Sequence, residues 1–189
     1  MRAELARERV GGSRMAEAAR ALELARAHAK QPGRALVLYD GLCNVCNSSI
    51  RFALARCEPG TVAFASLQSQ VAAQVLSEFE CAGLAYADGA AAAPTSSIVL
   101  RGGRAFGKTD GSVMLMQLMT WPFPLLALIV GLIPALLRNA AYDVFAAQRF
   151  RLFGRTEAVQ QLPEGTEHLF LDSHEGIHVC PMPGTGKRR

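Results

Sequence analysis

The sequence lacks the features of a secreted, disulfide-bonded domain. Its five cysteines are unevenly spread and form no regular framework. The first residues contain no apolar run like that of a secretory signal peptide, so secretion is not expected. Abundant arginine there would fit an organellar transit peptide, but four glutamates within residues 1–34 argue against one. We therefore expect a cytoplasmic protein in a reducing compartment, where paired cysteines are more often catalytic or metal-binding than structural.

The chain also lacks a broad basic region. Its formal net charge of +4 comes entirely from residues 1–34, which contain eight Arg or Lys and four Glu. The other 155 residues carry balanced charge. Because nucleic-acid binding requires a basic surface, we expect no nucleic-acid partner.

Length and composition predict one globular domain with two flanking segments. The 189 residues are half hydrophobic, which is enough to build a proper core. Residues 1–34 are predicted to form a solvated helical extension outside that core, interrupted at Gly11–Gly12 and ended by Pro32–Gly33. The domain itself is expected to span residues 35–154, and residues 155–189 to form an irregular tail.

Two cysteines lie where a strand is expected to turn into a helix. The apolar run 35–38 predicts a buried strand, and the apolar positions within residues 50–57 recur at helical spacing. Cys43 and Cys46 form a Cys-x-x-Cys pair on the turn between them, as in thioredoxin-like redox sites. The amides and dipole of a helix N-terminus stabilise a thiolate, the species that attacks a disulfide. We therefore predict that Cys43 is the nucleophile, in an exposed first turn, and that Cys46 resolves the mixed disulfide.

Asp40 precedes this pair and has three interpretations. It could cap the helix, shape the turn together with Gly41, or accept a proton near the thiols. A carboxylate beside a thiolate raises the pKa of that thiol, so a capping or turn role is favoured over catalysis. We predict that Cys43 has the lower pKa of the pair, provided that the charge of Asp40 is offset. The two other cysteines before the tail, Cys57 and Cys81, are expected to be ordinary buried or semi-buried thiols.

The order of the remaining elements predicts a thioredoxin-like α/β fold. A second strand at 62–65 completes a βαβ unit with the first strand and the helix after the cysteine pair, and a second helix at 70–79 follows. Gly102–Gly103 then separates two short strands and indicates a hairpin, which a helix over about residues 112–119 follows. The sequence βαβ then ββα is the thioredoxin arrangement. Pro94 precedes the third strand, where such folds place a cis-proline.

Residues 119–137 form a long apolar stretch whose only clearly polar side chain is Thr120. Its prolines and Gly131 interrupt any single helix of membrane-spanning length. A buried helical hairpin against the sheet is favoured, and peripheral membrane contact is the alternative. A last helix is expected from Pro134 to about Phe153, with Gly154 as its stop. The arginines of this helix receive no assigned role.

A zinc site is the rival interpretation of the cysteine pair. It would need two more ligands, for which His168, His174, His178 and Cys180 are candidates. No second Cys-x-x-Cys or suitable histidine pair is correctly placed, so neither a metal nor another cofactor is expected.

The stretch Asp40-Gly41-Leu42-Cys43-Asn44-Val45-Cys46 resembles the signature of the DCC family, which is named for its Asp, Cys and Cys. Further segments are similar to the family in order and spacing: residues 64–69, 133–134, 138–143 and 149–154. This resemblance implies a thioredoxin-like fold with an added C-terminal helical region, and a thiol-disulfide oxidoreductase that acts on a protein or small-molecule thiol or disulfide. It also implies that Asp40, Cys43 and Cys46 form the active site. The alternative is a membrane-associated or partner-binding module whose cysteine pair is vestigial or binds zinc.

Overall fold

The computed structural model describes residues 2–86, 94–156, 166 and 169–173 of the chain. Its helices are α1 (Arg2–Lys30), α2 (Asn44–Leu54), α3 (Gln70–Glu78), α4 (Ala82–Ala85), α5 (Lys108–Met116), α6 (Phe123–Leu132) and α7 (Ala135–Phe153). Its strands are β1 (Ala35–Tyr39), β2 (Val62–Ser66), β3 (Ile98–Arg101) and β4 (Arg104–Gly107).

The four strands form one mixed sheet in the order β2-β1-β3-β4. β1 pairs in parallel with β2, as expected for strands joined by the crossover helix α2. β1 and β3 are antiparallel, as are β3 and β4, which the Gly102–Gly103 turn connects. The predicted fold class is confirmed: a thioredoxin-like βαβ then ββα order with added C-terminal helices.

The sheet separates two apolar layers because successive strand side chains point to opposite faces. Leu36 and Leu38 of β1 face a layer that contains α1 and α3. Val37 and Tyr39 face the other layer, which contains α2 and the ring of Phe170. All five residues of β1 are buried, so the strand that leads into the cysteine pair lies at the centre of the domain.

Helix α1 is part of the core, which corrects the prediction of a solvated extension. Ala21, Ala25 and Ala29 repeat every four residues, so they share one helix face, and all three are buried in the layer that contains Leu36 and Leu38. Small side chains let the helix lie close to the sheet, yet they give a weak hydrophobic signal in the sequence. Gly11–Gly12 does not interrupt α1. The domain limits at residues 34 and 154 stay predictions.

Helix α5 begins four residues before its predicted start and ends three residues before its predicted end. The four residues that the prediction left out of this helix, 108–111, include Gly111. In the structure, a Cβ at Gly111 would lie 2.8 Å from the carbonyl oxygen of Phe106, so this glycine permits close packing of α5 on β4. A residue that breaks helices in isolation is here required by the tertiary contact.

The C-terminal helices confirm one prediction and contradict another. α7 ends at Gly154, whose φ of 75° stops the helix as expected. The predicted buried hairpin is wrong, because Ala127 is the only buried residue of α6. In the described part of the chain no single helix is long and apolar enough to cross a membrane, although α6 and α7, bent by 110°, pass that test of length and composition as a pair. A cis bond precedes Pro122, whereas the bond before Pro94 involves Ala93, which lies outside the described residues.

Part of the predicted irregular tail returns to the sheet. The ring of Phe170 stacks on that of Phe64, with centroids 5.2 Å apart. The N–H of Leu171 donates to the carbonyl of Phe64, and a carboxylate oxygen of Asp172 accepts from the N–H of Ser66. Residues 170–172 of the tail therefore pack along β2.

The packing of α1 can be tested by adding bulk to its buried face. Ala25→Leu should lower the free energy of unfolding by about 1–3 kcal/mol, because the site is fully enclosed. The matched variant Ala19→Leu, at an exposed position of the same helix, should change it by less than about 0.5 kcal/mol. Urea denaturation measures both values. Equal effects at the two positions would contradict the packed arrangement.

Candidate functional site

The cysteine pair lies on the turn between β1 and α2, as predicted. Cys43 is the N-cap of α2, with extended backbone angles of φ −95° and ψ 117°. Its Sγ accepts a hydrogen bond from the N–H of Cys46 at 3.4 Å. A side-chain oxygen usually holds this position and satisfies an otherwise unpaired amide. A thiolate sulfur there gains both the amide hydrogen bond and the favourable end of the helix dipole.

The pKa values of the two thiols are shifted in opposite directions. The pKa of Cys43 falls from its ordinary value of 9.0 to about 6. The main cause is the hydrogen bond from the Cys46 thiol; burial opposes it, whereas the Cys46 amide and the charge of Arg149 add to it. The pKa of Cys46 is raised, chiefly by its hydrogen bond to Cys43 and then by burial. The pair therefore holds one proton, on Cys46, at neutral pH.

Cys43 is fully buried, which contradicts the predicted exposed first turn. Its relative exposure is 0%, whereas Cys46 is only half-buried. The segment that follows α7 covers the motif: Arg155 pairs with Cys43 in an antiparallel bridge. The N–H of Thr156 donates to the carbonyl of Leu42 at 3.0 Å. This long-range pairing has no local sequence signal, so it could not be anticipated.

Asp40 shapes the turn and does not cap the helix. It is 2% exposed, and its Oδ1 accepts hydrogen bonds from the N–H of Leu42 at 3.1 Å and from Nε2 of Gln68 at 2.9 Å. Its Oδ2 lies 3.4 Å from Nη2 of Arg149. The turn interpretation is thus confirmed, and the capping interpretation is wrong because Cys43 holds the N-cap.

Arg149 is a member of the site that sequence reasoning missed. Its side chain lies in the last turns of α7, 5% exposed, and it forms a buried ion pair with Asp40 across 109 residues of sequence. It also donates to the carbonyls of Thr95, at 3.0 Å, and Pro94. Its charge lowers the pKa of Cys43 by more than the charge of Asp40 raises it. The available signal was its position at the start of the family-like segment 149–154.

The family-like segment 64–69 packs directly on the motif. Oε1 of Gln68 accepts a hydrogen bond from the N–H of Gly41 at 3.1 Å. A Cβ at position 41 would lie only 2.8 Å from Oγ of Ser66, so the space around Gly41 admits no side chain without rearrangement. The carbonyl of Gly41 accepts a hydrogen bond from Nδ2 of Asn47 at 2.9 Å. Two segments that are separate in the sequence therefore build one turn.

Cavities approach the pair from the side of Cys46. Two of them, of about 180 and 30 Å³, are both lined by Cys46, Tyr142 and Phe145. A larger cavity of about 1000 Å³ is lined by Arg149 and Lys108 but by neither cysteine of the pair. In the closed arrangement these cavities therefore lead to Cys46 and not to Cys43.

Cys57 and Cys81 are not part of the cysteine pair. Cys81 is buried and Cys57 is half-buried, and burial raises the pKa of Cys57 to about 11 and also raises that of Cys81, as expected for ordinary buried or semi-buried thiols. The candidate zinc ligands His168, His174, His178 and Cys180 lie outside the described residues.

The lowered pKa of Cys43 predicts a pH-dependent stability of the reduced protein. Between about pH 6 and pH 9 the unfolded chain holds the Cys43 proton and the folded protein has released it, so the free energy of unfolding should rise with pH. The slope is at most about 1.4 kcal/mol per pH unit. Above pH 9 the folded protein retains the Cys46 proton that the unfolded chain loses, so the slope should reverse.

Urea denaturation in the presence of a reductant measures this profile. Cys43→Ser is the control, because it keeps a capping side chain and removes the titrating thiol. Parallel profiles of the two proteins between pH 6 and pH 9 would show that Cys43 carries no lowered pKa.

Comparison with known proteins agrees with this geometry. The chain is 28% identical over 128 residues to a DCC family protein of Arabidopsis thaliana that is named as chloroplastic, which covers 67% of this chain and 69% of that protein. It is also 28% identical over 128 residues to the uncharacterized protein YuxK of Bacillus subtilis strain 168, covering 66% and 83%. No solved structure matches the chain.

The family model of the DCC1-like thiol-disulfide oxidoreductases matches residues 37–155. This range includes the cysteine pair, the Asp40–Arg149 ion pair and the segment that covers Cys43. The family resemblance inferred from the sequence is confirmed, and the chain belongs to the DCC1-like thiol-disulfide oxidoreductase family.

Proposed function

We propose that the protein exchanges disulfides through Cys43 and Cys46, with Cys43 as the attacking thiol and Cys46 as the resolving thiol. The observation that carries this proposal is the position of Cys43 Sγ as the N-cap of α2, where the amide and the thiol of Cys46 both stabilise its thiolate. At neutral pH this thiol is largely ionised, whereas a thiol with its ordinary pKa is mostly protonated.

The proposed reaction transfers two electrons in two exchanges. The Cys43 thiolate attacks one sulfur of a partner disulfide, which forms a mixed disulfide and releases the other partner sulfur as a thiolate. That thiolate takes the proton of Cys46. The Cys46 thiolate then attacks the Cys43 sulfur, which breaks the mixed disulfide and releases the second partner sulfur. The protein ends oxidised and its partner reduced, and the reverse sequence oxidises a partner dithiol.

Access to Cys43 requires a local movement in this proposal. The covering segment is attached to the motif by the Thr156–Leu42 hydrogen bond and by Nδ2 of Asn44, which donates to the carbonyl of Phe153 at 2.9 Å. These contacts lie at the end of α7 and outside the two apolar layers, so we expect them to open without unfolding the core. The half-buried Cys46 marks the side from which a partner approaches.

Asp40 enters the proposal as a positioning residue. Its carboxylate accepts from the amide of Leu42, from Gln68 and from Arg149, so it fixes the turn on which Cys43 lies. Arg149 supplies the positive charge that offsets Asp40 and favours a thiolate. Partners are proteins or small molecules that carry a thiol or a disulfide. The cytoplasmic location stays a prediction, because the chloroplastic name belongs to the Arabidopsis protein.

Trapping with a small disulfide tests the order of attack. After brief exposure to 5,5′-dithiobis(2-nitrobenzoate) at pH 6.5, Cys46→Ser should form a mixed disulfide at Cys43 at least about tenfold faster than Cys43→Ser forms one at Cys46, because thiolates are the reacting species. Absorbance of the released thiolate gives the rate, and peptide mass spectrometry identifies the modified cysteine. Cys57→Ser, which removes a distant thiol, should react like the unaltered protein.

Faster trapping at Cys46 would reverse the assigned roles. If oxidised glutathione leaves both cysteines as free thiols in the unaltered protein, the redox proposal itself fails.

Removing the buried charge of Arg149 or that of Asp40 should shift the pKa of Cys43 in opposite directions. Arg149→Met should raise the pKa of Cys43, and Asp40→Asn should lower it, because the first variant removes an attractive charge and the second a repulsive one. The pH dependence of the iodoacetamide alkylation rate, with Cys57, Cys81 and Cys180 replaced by Ser, measures each shift. Each variant leaves one buried charge without its ion-pair partner and should lose about 3–5 kcal/mol of stability. Shifts of the same sign would indicate a general loosening of the site.

A further inference from the structure

Helix α6 is apolar on every side and yet almost wholly exposed. Its ten residues, FPLLALIVGL, contain no polar side chain, and only Ala127 is buried. A helix that is apolar all round normally lies inside a protein core or in a membrane, because water cannot solvate any of its faces favourably. Since the protein core does not enclose α6, another apolar medium is required.

The exposed apolar side chains continue past both ends of α6. The apolar surface comprises Trp121, Leu125, Leu126, Leu128, Ile129, Leu132, Ile133, Leu136 and Leu137. The most exposed side chains of this surface are Trp121, Leu132 and Leu136, with relative exposures of 80%, 78% and 82%. No charged residue occurs between residues 119 and 137. An apolar area so continuous is uncommon on a monomeric soluble domain and marks an interaction site.

We propose that this surface inserts into the interfacial layer of a phospholipid bilayer. A protein partner would cover one stripe of a helix and leave a polar face toward water, whereas α6 has no polar face to leave. At about 15 Å, α6 is half as long as the hydrocarbon core is thick, and the 110° bend to α7 turns the chain back. The insertion is therefore shallow and does not cross the membrane.

The start of the apolar surface and the bend between α6 and α7 have features that are favourable in a bilayer. Trp121 lies just before α6, and tryptophan is enriched at the level of lipid headgroups. The guanidinium of Arg56 lies 3.7 Å from the centroid of the Phe52 ring and 5.7 Å from that of Phe123, which places a cation beside the aromatic end of the surface. At the bend between α6 and α7, the N–H of Ile133 donates to the carbonyl of Val130, and Pro134 has no N–H. Neither residue therefore brings an unpaired backbone N–H into the apolar layer.

This surface adjoins the thiol site through α7. Leu136 belongs to the apolar surface, and Tyr142, which lines the cavities at Cys46, lies six residues later, about 9 Å along the helix axis. The proposed membrane contact goes beyond thiol-disulfide exchange and does not depend on it. It places any exchange reaction beside the bilayer surface.

The experiment uses Trp121, the only tryptophan of the chain, as the probe. The full-length protein is titrated with vesicles of phosphatidylcholine and phosphatidylglycerol, and Trp121 fluorescence and co-flotation are recorded. We expect a blue shift of the emission, quenching by brominated acyl chains, and flotation with the vesicles. The double variant Leu132→Glu/Leu136→Glu should reduce the vesicle partition coefficient at least about tenfold, since two inserted leucines become charged.

Met15→Glu/Ala19→Glu is the matched control, because it places the same two charges, four residues apart, at exposed positions of α1 and should leave partitioning unchanged. Circular dichroism verifies that each variant is folded, and brominated-lipid quenching of the unaltered protein gives an answer that needs no variant. A protein that neither floats nor shifts its emission overturns the proposal. So does a dimer, detected by light scattering, that hides Trp121 in the absence of lipid. Loss of thiol reactivity alone would leave flotation intact, so the two proposals fail separately.

Discussion

The buried ion pair between Asp40 and Arg149 joins the end of β1 to the last turns of α7, and the arrangement of the thiol site depends on it. Two charges removed from water are costly unless further hydrogen bonds satisfy them. The Leu42 amide and Gln68 supply those bonds to the carboxylate, and the carbonyls of residues 94 and 95 supply them to the guanidinium. The ion pair and its hydrogen bonds therefore connect three segments: the β1–α2 turn, the loop before β3, and α7.

The elements that local patterns determine were predictable. The apolar run before the turn, the helical spacing after it and the Gly102–Gly103 hairpin led to the correct sheet and to the correct placement of Cys43 and Cys46. The features that were missed depend on tertiary packing. Alanines hold α1 against the sheet with little hydrophobic signal, and Gly111 lets α5 pack closely on the carbonyl of Phe106.

Contacts between distant residues also explain what sequence reasoning missed at the site. Sequence reasoning identified Asp40 and both cysteines but not Arg149, which lies 109 residues from Asp40. The pairing of Arg155 with Cys43 also joins distant residues, and it separates reactivity from accessibility: the thiol that ionises is enclosed, and the thiol that solvent reaches keeps its proton. Oxidants attack accessible thiolates first, so under the proposed function we expect this division to slow the irreversible oxidation of the dithiol.

The crowding around Gly41 has a consequence for how the family can diverge. The φ of Gly41 does not lie in the left-handed region, so its backbone conformation does not require glycine. Glycine is required because Ser66 and Gln68 leave no space for a side chain. A side chain at position 41 becomes tolerable only when the residue at 66 or 68 shrinks or turns away. The two segments are therefore constrained to evolve together, and substitutions at position 41 should covary with those at positions 66 and 68 among relatives.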